Sequence, residues 1–428
     1  MATRLLERVL ERIRPTTAER STEIKFAQEL VRRVAAASPA GCGAVLTGSV
    51  AKGTFLRDSL DIDIFVLFPR SHAKEHLEGS IEAIVRKAFP GTGYRLSYAE
   101  HPYARFHYQG RKVDLVPAYR IKDAAQRQSA VDRSVLHTKF VLRSMRKKQA
   151  DDVLLLKAFL KANSLYGAEI KVHGFSGYLC ELLIIRYGSF MKLARAAEKW
   201  KLPLLVDIKK YYALKEAKAL PGRFCSGFIV IDPADRNRNV AAAVSSANLK
   251  RFVSACRRFL RNPSQDFFLR KPPGFQERAA RAGQGGKLFL LTMPRPDVVD
   301  DVLWGQLYKM IDQLERHMEE FGPKAVLADD TQHLIRLAVV LRKDRLAPKM
   351  LVQGPPLDMA AHVRSFRKSR KGAKFVVKGK RLCAIVKRPI IGAEDAMMGF
   401  FRGLRASKSH LACSEELVLL RRGFPEGA

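Results

Sequence analysis

Cysteine is scarce in this chain, six among 428 residues, and the six are scattered at Cys42, Cys180, Cys225, Cys256, Cys383 and Cys413. None forms a Cys-x-x-Cys pair or stands at a zinc-binding distance from histidine, which argues against a disulfide-stapled secreted scaffold and a structural zinc site. They read as buried thiols in a reducing compartment. No apolar run approaches the roughly 20 residues that span a bilayer. Residues 1–8 are amphipathic and carry an acid, unlike a secretory signal. The expected location is the cytoplasm, without membrane contact. Internal repeats and low-complexity segments are also absent.

Acid is the other shortage: 42 Asp and Glu against 77 Lys and Arg, a formal charge of +35. Such an excess speeds encounter with polyanions and, through counterion release, favours nucleic acid over an acidic protein or a membrane. Charge does not by itself choose RNA, and a basic proteome or a solubility device is the alternative. A hydrophobic content of 47% and a charged fraction of 28% fit a soluble globular protein. The length suffices for about two to four domains.

Against that shortage, the placement of three acids carries information. Residues 48–68 read Gly-Ser-Val-Ala-Lys-Gly-Thr-Phe-Leu-Arg-Asp-Ser-Leu-Asp-Ile-Asp-Ile-Phe-Val-Leu-Phe. The apolar run 64–68 predicts a strand with Asp61 and Asp63 at its mouth, and residues two apart on a strand point the same way. Like charges so aimed repel unless cations lie between them, and Mg²⁺ takes carboxylate and phosphate oxygens as ligands. Gly48, Ser49 and Gly53 let backbone N–H groups approach an anion, and Lys52 adds positive charge. A third acid, Asp114, interrupts an apolar strand at 111–117, where an unpaired carboxylate is costly. For Asp-x-Asp taken alone, a solvated loop before a buried strand is the alternative.

Leu5, Leu6, Val9, Leu10 and Ile13 predict a helix ended by Pro15. A second helix, capped by Thr22, turns Ile24, Ala27, Leu30, Val31 and Val34 to one side. A helix over 73–89 and strands around 94–99, 104–108 and 113–117 complete an α+β domain. Helical periods at 153–160, 177–196 and 240–260, with little strand signal between them, predict a bundle. Beyond the turn-rich stretch 263–286, a strand at 288–292, a helix at 300–321 and a strand at 331–341 give an order common in small RNA-binding sheets, without the aromatic ribonucleoprotein pattern. In the last stretch Arg364, Arg367, Lys368, Arg370, Lys371 and Lys374 interleave with apolar residues such as Phe366 and Phe375. That favours a folded surface gripping a phosphate backbone over a solvated tail.

Taken in order, residues 48–63 resemble the signature of the DNA polymerase beta-like nucleotidyltransferases. Tyr98-Ala99-Glu100-His101-Pro102-Tyr103, Ser129-Ala130-Val131-Asp132-Arg133, Leu156-Lys157-Ala158-Phe159-Leu160-Lys161-Ala162-Asn163, Gly174-Phe175-Ser176-Gly177-Tyr178-Leu179-Cys180-Glu181 and Asp232-Pro233-Ala234-Asp235 followed by Arg238-Asn239-Val240-Ala241 resemble the archaeal-type, or class I, CCA-adding enzymes. In that family C, C and A are added to the 3′ end of tRNA from CTP and ATP without a nucleic-acid template, with release of pyrophosphate. The resemblance implies an α+β multidomain fold: a nucleotidyltransferase head with a small mixed sheet (1–143), a helical neck (144–262), an RNA-binding α/β body (263–354) and a basic tRNA-binding tail (355–428).

The resemblance also implies roles. Asp61, Asp63 and Asp114 become the catalytic carboxylates that hold two Mg²⁺ ions. Gly48, Ser49, Lys52, Lys157, Tyr166, Ser176 and Tyr178 become nucleotide contacts. His101 and His137 stand near the nucleotide, with a structural imidazole as the equal alternative for each. Arg238 reads the incoming base, its alternative being a salt bridge to Asp232 or Asp235. Some relatives carry Glu where Asp61 stands and Arg where Lys52 stands; the shorter acid still binds Mg²⁺, and Lys keeps the charge but loses a bidentate phosphate grip. The implied partner is tRNA, met at its acceptor stem and 3′ end, and the implied assembly is a homodimer. A poly(A) or oligoadenylate-forming enzyme, a non-catalytic RNA-binding protein on the same fold and a metal-independent structural protein are the alternatives.

Overall fold

The computed structural model describes residues 2–98, 102–405, 410–413 and 418–420. The chain folds as two compact units, Met1–Pro272 and Pro273–Ala428. In chain order the first holds α1 (Ala2–Ile13), α2 (Thr17–Ala37), β1 (Gly43–Leu46), α3 (Gly48–Lys52), β2 (Asp61–Phe68), α4 (Leu77–Ala88), β3 (Tyr94–Tyr98), β4 (Pro102–Tyr108), β5 (Arg111–Tyr119), α5 (Arg133–Ser144), α6 (Gln149–Ala162), α7 (Gly177–Tyr187), α8 (Phe190–Glu198), β6 (Leu204–Val206), α9 (Leu214–Ala217), α10 (Leu220–Phe224), β7 (Phe228–Asp232), β8 (Asp235–Asn239), α11 (Ser246–Arg261) and α12 (Asp266–Leu269).

Strands β1 to β5 form one mixed sheet in the order β1-β2-β5-β4-β3. Only β2 and β5 run parallel. Ile62, Ile64, Val66 and Phe68 of β2 and Val113 and Leu115 of β5 point into a core shared with Leu30 of α2 and Ile81 of α4. Strand alternation therefore sends Asp61, Asp63 and Asp114 to the opposite face. A second core gathers Leu156 and Phe159 of α6, Leu182 of α7, Phe190 of α8 and Phe252 of α11. The three-stranded sheet β6-β7-β8 belongs to the same unit.

The second unit holds α13 (Phe275–Gly283), β9 (Lys287–Pro294), α14 (Asp300–His317), β10 (Pro323–Asp330), β11 (Leu334–Leu341), β12 (Lys349–Pro356), α15 (Ala360–Lys368), β13 (Lys374–Lys378), β14 (Arg381–Lys387), α16 (Ala393–Arg405) and β15 (Val418–Leu420). Its sheets are ordered β10-β11-β9-β15 and β12-β14-β13. Among the described residues no helix is long and apolar enough to cross a membrane.

Several elements differ from the sequence reading. Helix α2 starts before Thr22, because Thr16 and Glu19 close a reciprocal capping box. The apolar stretch 177–196 is two helices: Gly188 adopts φ +91° and Ser189 caps α8. The bundle region contains β6, β7 and β8, of which β7 is buried along its whole length and so shows no alternation. Strand β10, hydrogen-bonded to β11, was not expected. Cys180, Cys256 and Cys383 are buried, but Cys225 is exposed and Cys42 partly so. Cys225 ends α10 in the left-handed region, at φ 46°. The Cys413 side chain and residues Ala99, Glu100 and His101 lie outside the described residues.

Candidate active site

Parallel pairing of β2 with β5 sets Asp63 directly beside Asp114, and Asp61 beside Lys112. All three acids occupy the face of the sheet turned away from its core. Burial pushes the Asp63 carboxyl up to about 6, with the charges of Asp114 and Asp61 adding to it. No hydrogen bond among the described residues reaches that carboxylate. Asp114 is held by Arg105, its cross-strand neighbour on β4, whose Nε and a terminal nitrogen donate to the two carboxylate oxygens at 2.8 Å each. Lys112 Nζ donates to Asp61 at 3.2 Å.

These cations explain a feature of the geometry. Among the described residues no group of three or more His, Cys, Asp or Glu side chains is drawn together closely enough to hold an ion. Asp114 is turned to Arg105 and Asp61 to Lys112, while Asp63 is held by neither cation. In donor chemistry and in the face they share, the three fit a hard divalent cation: all offer carboxylate oxygens, and the repulsion that raises Asp63 is what bound positive charge relieves.

Beside the acids lies a cleft of about 280 Å³ lined by Gly48, Ser49, Lys52, Asp61, Asp63, Lys157, Lys161, Tyr166, Tyr178 and Glu181, among others. Gly48, at φ +67°, is required here: a Cβ on it would stand 1.8 Å from Asp63 Oδ2. Lys157 is buried on α6, and burial pushes its ammonium below the ordinary lysine range against the pull of Glu181. Lys161, one turn along α6, is lowered for the same reason while Asp61 and Asp58 oppose the shift. Burial raises the Tyr166 and Tyr178 hydroxyls, keeping both neutral.

A second cleft, about 440 Å³, is lined by Arg127, Arg133, Ser176, Asp235, Asn237 and Arg238, among others. The two clefts are linked through the buried Asp232 at the end of β7. It accepts from Tyr178 at 3.0 Å and from Arg238 at 3.0 Å, and His137 Nε2 lies 2.8 Å away. The salt bridge to Asp232 that the sequence left as an alternative for Arg238 is thus present. Burial opposes ionisation of Asp232, yet its partners, His137 foremost, outweigh it and bring the carboxyl down to about 2. Burial lowers His137 while its contact with Asp232 opposes the shift. Its other face stacks on Tyr178 at 4.1 Å. Ser176 caps α7 through Leu179 N–H.

Of the residues singled out from the sequence, Gly48, Ser49, Lys52, Asp61, Asp63, Lys157, Tyr166 and Tyr178 share the first cleft, and Ser176 and Arg238 line the second. Asp114 stands beside Asp63 on β5, and His137 joins the clefts. Arg364, Arg367, Lys368, Arg370, Lys371 and Lys374 belong to the second unit, on α15, β13 and the turn between them. Arg370, Lys371 and Lys374 line a cleft of about 580 Å³ there, together with Lys349 and Lys387. Sequence reasoning missed Arg105, Lys161 and Glu181. For Glu181 a signal existed: a lone acid within the apolar helix Gly177–Tyr187 needs a partner.

Residues 25–137 match the family described as nucleotidyltransferase domain, 151–269 the second domain of tRNA nucleotidyltransferase, and 284–403 the C-terminal domain of CCA-adding enzyme. The CCA-adding enzyme of Methanothermobacter thermautotrophicus is 35% identical over 392 residues, covering 89% of this chain and 83% of the relative. That of Archaeoglobus fulgidus is 35% identical, covering 92% and 89%, and that of Methanocaldococcus jannaschii is 38% identical, covering 80% and 77%. Among solved structures, the Cid1 poly(U) polymerase matches with a TM-score of 0.50 at 15% identity, over 63% of this chain and 98% of that one, a likeness of fold alone. With a polymerase-beta-like sheet under paired aspartates and relatives matched along most of its length, the chain belongs to the CCA-adding enzymes, a family of nucleotidyltransferases.

Proposed function

We propose that the first cleft is where C, C and A are joined to the 3′ end of tRNA, from CTP and ATP, without a nucleic-acid template and with release of pyrophosphate. The observation that carries this reading is the pairing of Asp63 with Asp114 across the parallel β2–β5 ladder, beside a cleft walled by Lys52, Lys157 and Lys161. Asp61, Asp63 and Asp114 are the residues to hold Mg²⁺, as a pair of ions. Magnesium bound there supplies Lewis-acid stabilisation of charge on the α-phosphate and the leaving pyrophosphate.

The chain's own residues do the rest. Phosphoryl transfer asks the protein mainly for positioning and charge. Arg105 clamps the Asp114 carboxylate on the acid face. Lys52, Lys157 and Lys161 meet the triphosphate, with Ser49, Tyr166 and Tyr178 around it, and Gly48 leaves room for the Asp63 carboxylate. His137 and Tyr178 stack near the nucleotide. Arg238, with one terminal nitrogen committed to Asp232, reads the base from the second cleft. Arg364, Arg367, Lys368, Arg370, Lys371 and Lys374 grip the tRNA backbone. The reading extends to a cytoplasmic homodimer, which sedimentation at micromolar protein tests.

Asp63→Asn and Asp114→Asn, each assayed in single-turnover CMP addition to tRNA lacking its last three nucleotides, are the test. Each loses roughly a thousandfold in rate while binding tRNA normally. Addition at the wild-type rate by either variant overturns the reading.

A further inference from the structure

Glu181 has no part in the reaction described above, yet it is fully buried and its charge is fully engaged. Its Oε2 accepts from Lys52 Nζ at 2.6 Å and its Oε1 from the Thr54 hydroxyl at 2.7 Å. Lys157 Nζ donates to the Thr54 carbonyl at 2.8 Å and lies 3.5 Å from the same hydroxyl. One ammonium group, Lys52 of α3, thus pairs directly with the acid, and a second, Lys157 of α6, meets it by way of Thr54, at the wall of the cleft that Lys52, Lys157 and Glu181 line. Unopposed, two buried cations repel and lose their protons. Burial already presses Lys157 toward its neutral form, and Glu181 is the largest influence against it.

The acid is also placed to register one structure on another. Lys52 and Thr54 lead into β2, which carries Asp61 and Asp63, whereas Glu181 and Lys157 are rooted in the helical core through α7 and α6. Tyr178, on the same helix as Glu181, puts its ring 5.9 Å from Lys52 Nζ. With both carboxylate oxygens spent on Lys52 and Thr54, Glu181 acts through its neighbours.

We infer that Glu181 is a positioning residue for the nucleotide triphosphate: it holds Lys52 directly, and Lys157 by way of Thr54, where the phosphates of the incoming nucleotide meet them. This rests on the reading of Lys52 as a triphosphate contact. The charge pair forms between side chains 129 residues apart in sequence, so it fixes the lysines only once both cores are folded.

Inorganic tripolyphosphate, which carries phosphate charge and no base, is the probe, used as a competitor of CTP against the full-length protein. Glu181→Gln keeps the shape and removes the charge. Its inhibition constant for tripolyphosphate and its KM for CTP and ATP rise roughly tenfold, kcat falls by less, and KM for tRNA stays unchanged. In a Lys52→Met background, Glu181→Gln adds nothing further. Thr54→Val removes the hydroxyl that seats the acid and raises the tripolyphosphate constant roughly threefold; it decides the matter if Glu181→Gln does not fold. Wild-type tripolyphosphate inhibition in Glu181→Gln, accompanied only by a lower melting temperature, makes the acid a structural ion-pair partner and overturns the inference. If Lys52→Met itself leaves tripolyphosphate inhibition unchanged, the triphosphate reading of Lys52 falls and the inference with it; if Lys52→Met weakens it while Glu181→Gln is silent, the inference alone falls.

Discussion

Asp63 is where the site stores its cost. Burial, then the charges of Asp114 and Asp61, raise its carboxyl from 3.8 to about 6. Between those values the folded protein holds a proton that the unfolded chain has released, so stability falls as pH rises through the window and the full penalty stands above it. For a partly exposed side chain the penalty is about 1–2 kcal/mol after solvent screening. Metal-free Asp63→Asn is therefore expected to melt about 3–6 °C higher than wild type near neutral pH, a gain that vanishes below roughly pH 4; thermal melts in chelator at the two pH values check it. Gly48→Ala has the opposite character, since its methyl displaces the Asp63 carboxylate. Its kcat falls roughly a hundredfold, read in the CMP-addition assay. The aspartates were legible because spacing on a strand fixes which way they face. Arg105 and Glu181 were not, because what gives each its meaning is a partner on another element, Asp114 across a ladder and Lys52 across two cores.

At the scale of elements, the end of β7 is the joint between the clefts. Asp232, itself without exposure to solvent, meets a hydroxyl from α7, a ring nitrogen from α5 and a guanidinium from β8. Taking its charge away leaves Arg238 unanchored and costs about 2–4 kcal/mol. Asp232→Asn is expected to unfold at lower denaturant and to raise KM for both nucleotides, by chemical denaturation and steady-state kinetics. By contrast Thr16→Ala, which opens the capping box of α2, costs about 1 kcal/mol and leaves KM unchanged. Strands β2 to β5 of the first sheet and most of the long helices could be read from apolar runs and periods, whereas β1 was not read. The start of α2 was misplaced because Thr16 and Thr22 both qualify as caps and only Thr16 has a Glu three residues on. The β6-β7-β8 sheet escaped because its strands are short and β7 is buried on both faces, so no alternation marks it.

For the whole molecule, the formal charge of +35 sets the terms on which it meets RNA. If exposed Arg364, Arg367, Lys368, Lys371 and Lys374 on the second unit grip the tRNA backbone as proposed, binding is expected to show a steep salt dependence. With about six phosphates neutralised, affinity falls roughly a thousandfold between about 50 and 200 mM salt, and replacing two of these residues by alanine reduces the slope in a filter-binding titration. Composition announced a polyanion partner, but which polyanion came only from motifs in the first unit, because charge is blind to sequence and shape. The most direct measurement of the account is the length of the product made on tRNA that lacks its last three nucleotides. CTP alone is expected to extend it by two residues and stop, and CTP with ATP to extend it by three and stop. An open-ended tail of A, or extension that ATP supports without any C, contradicts the account.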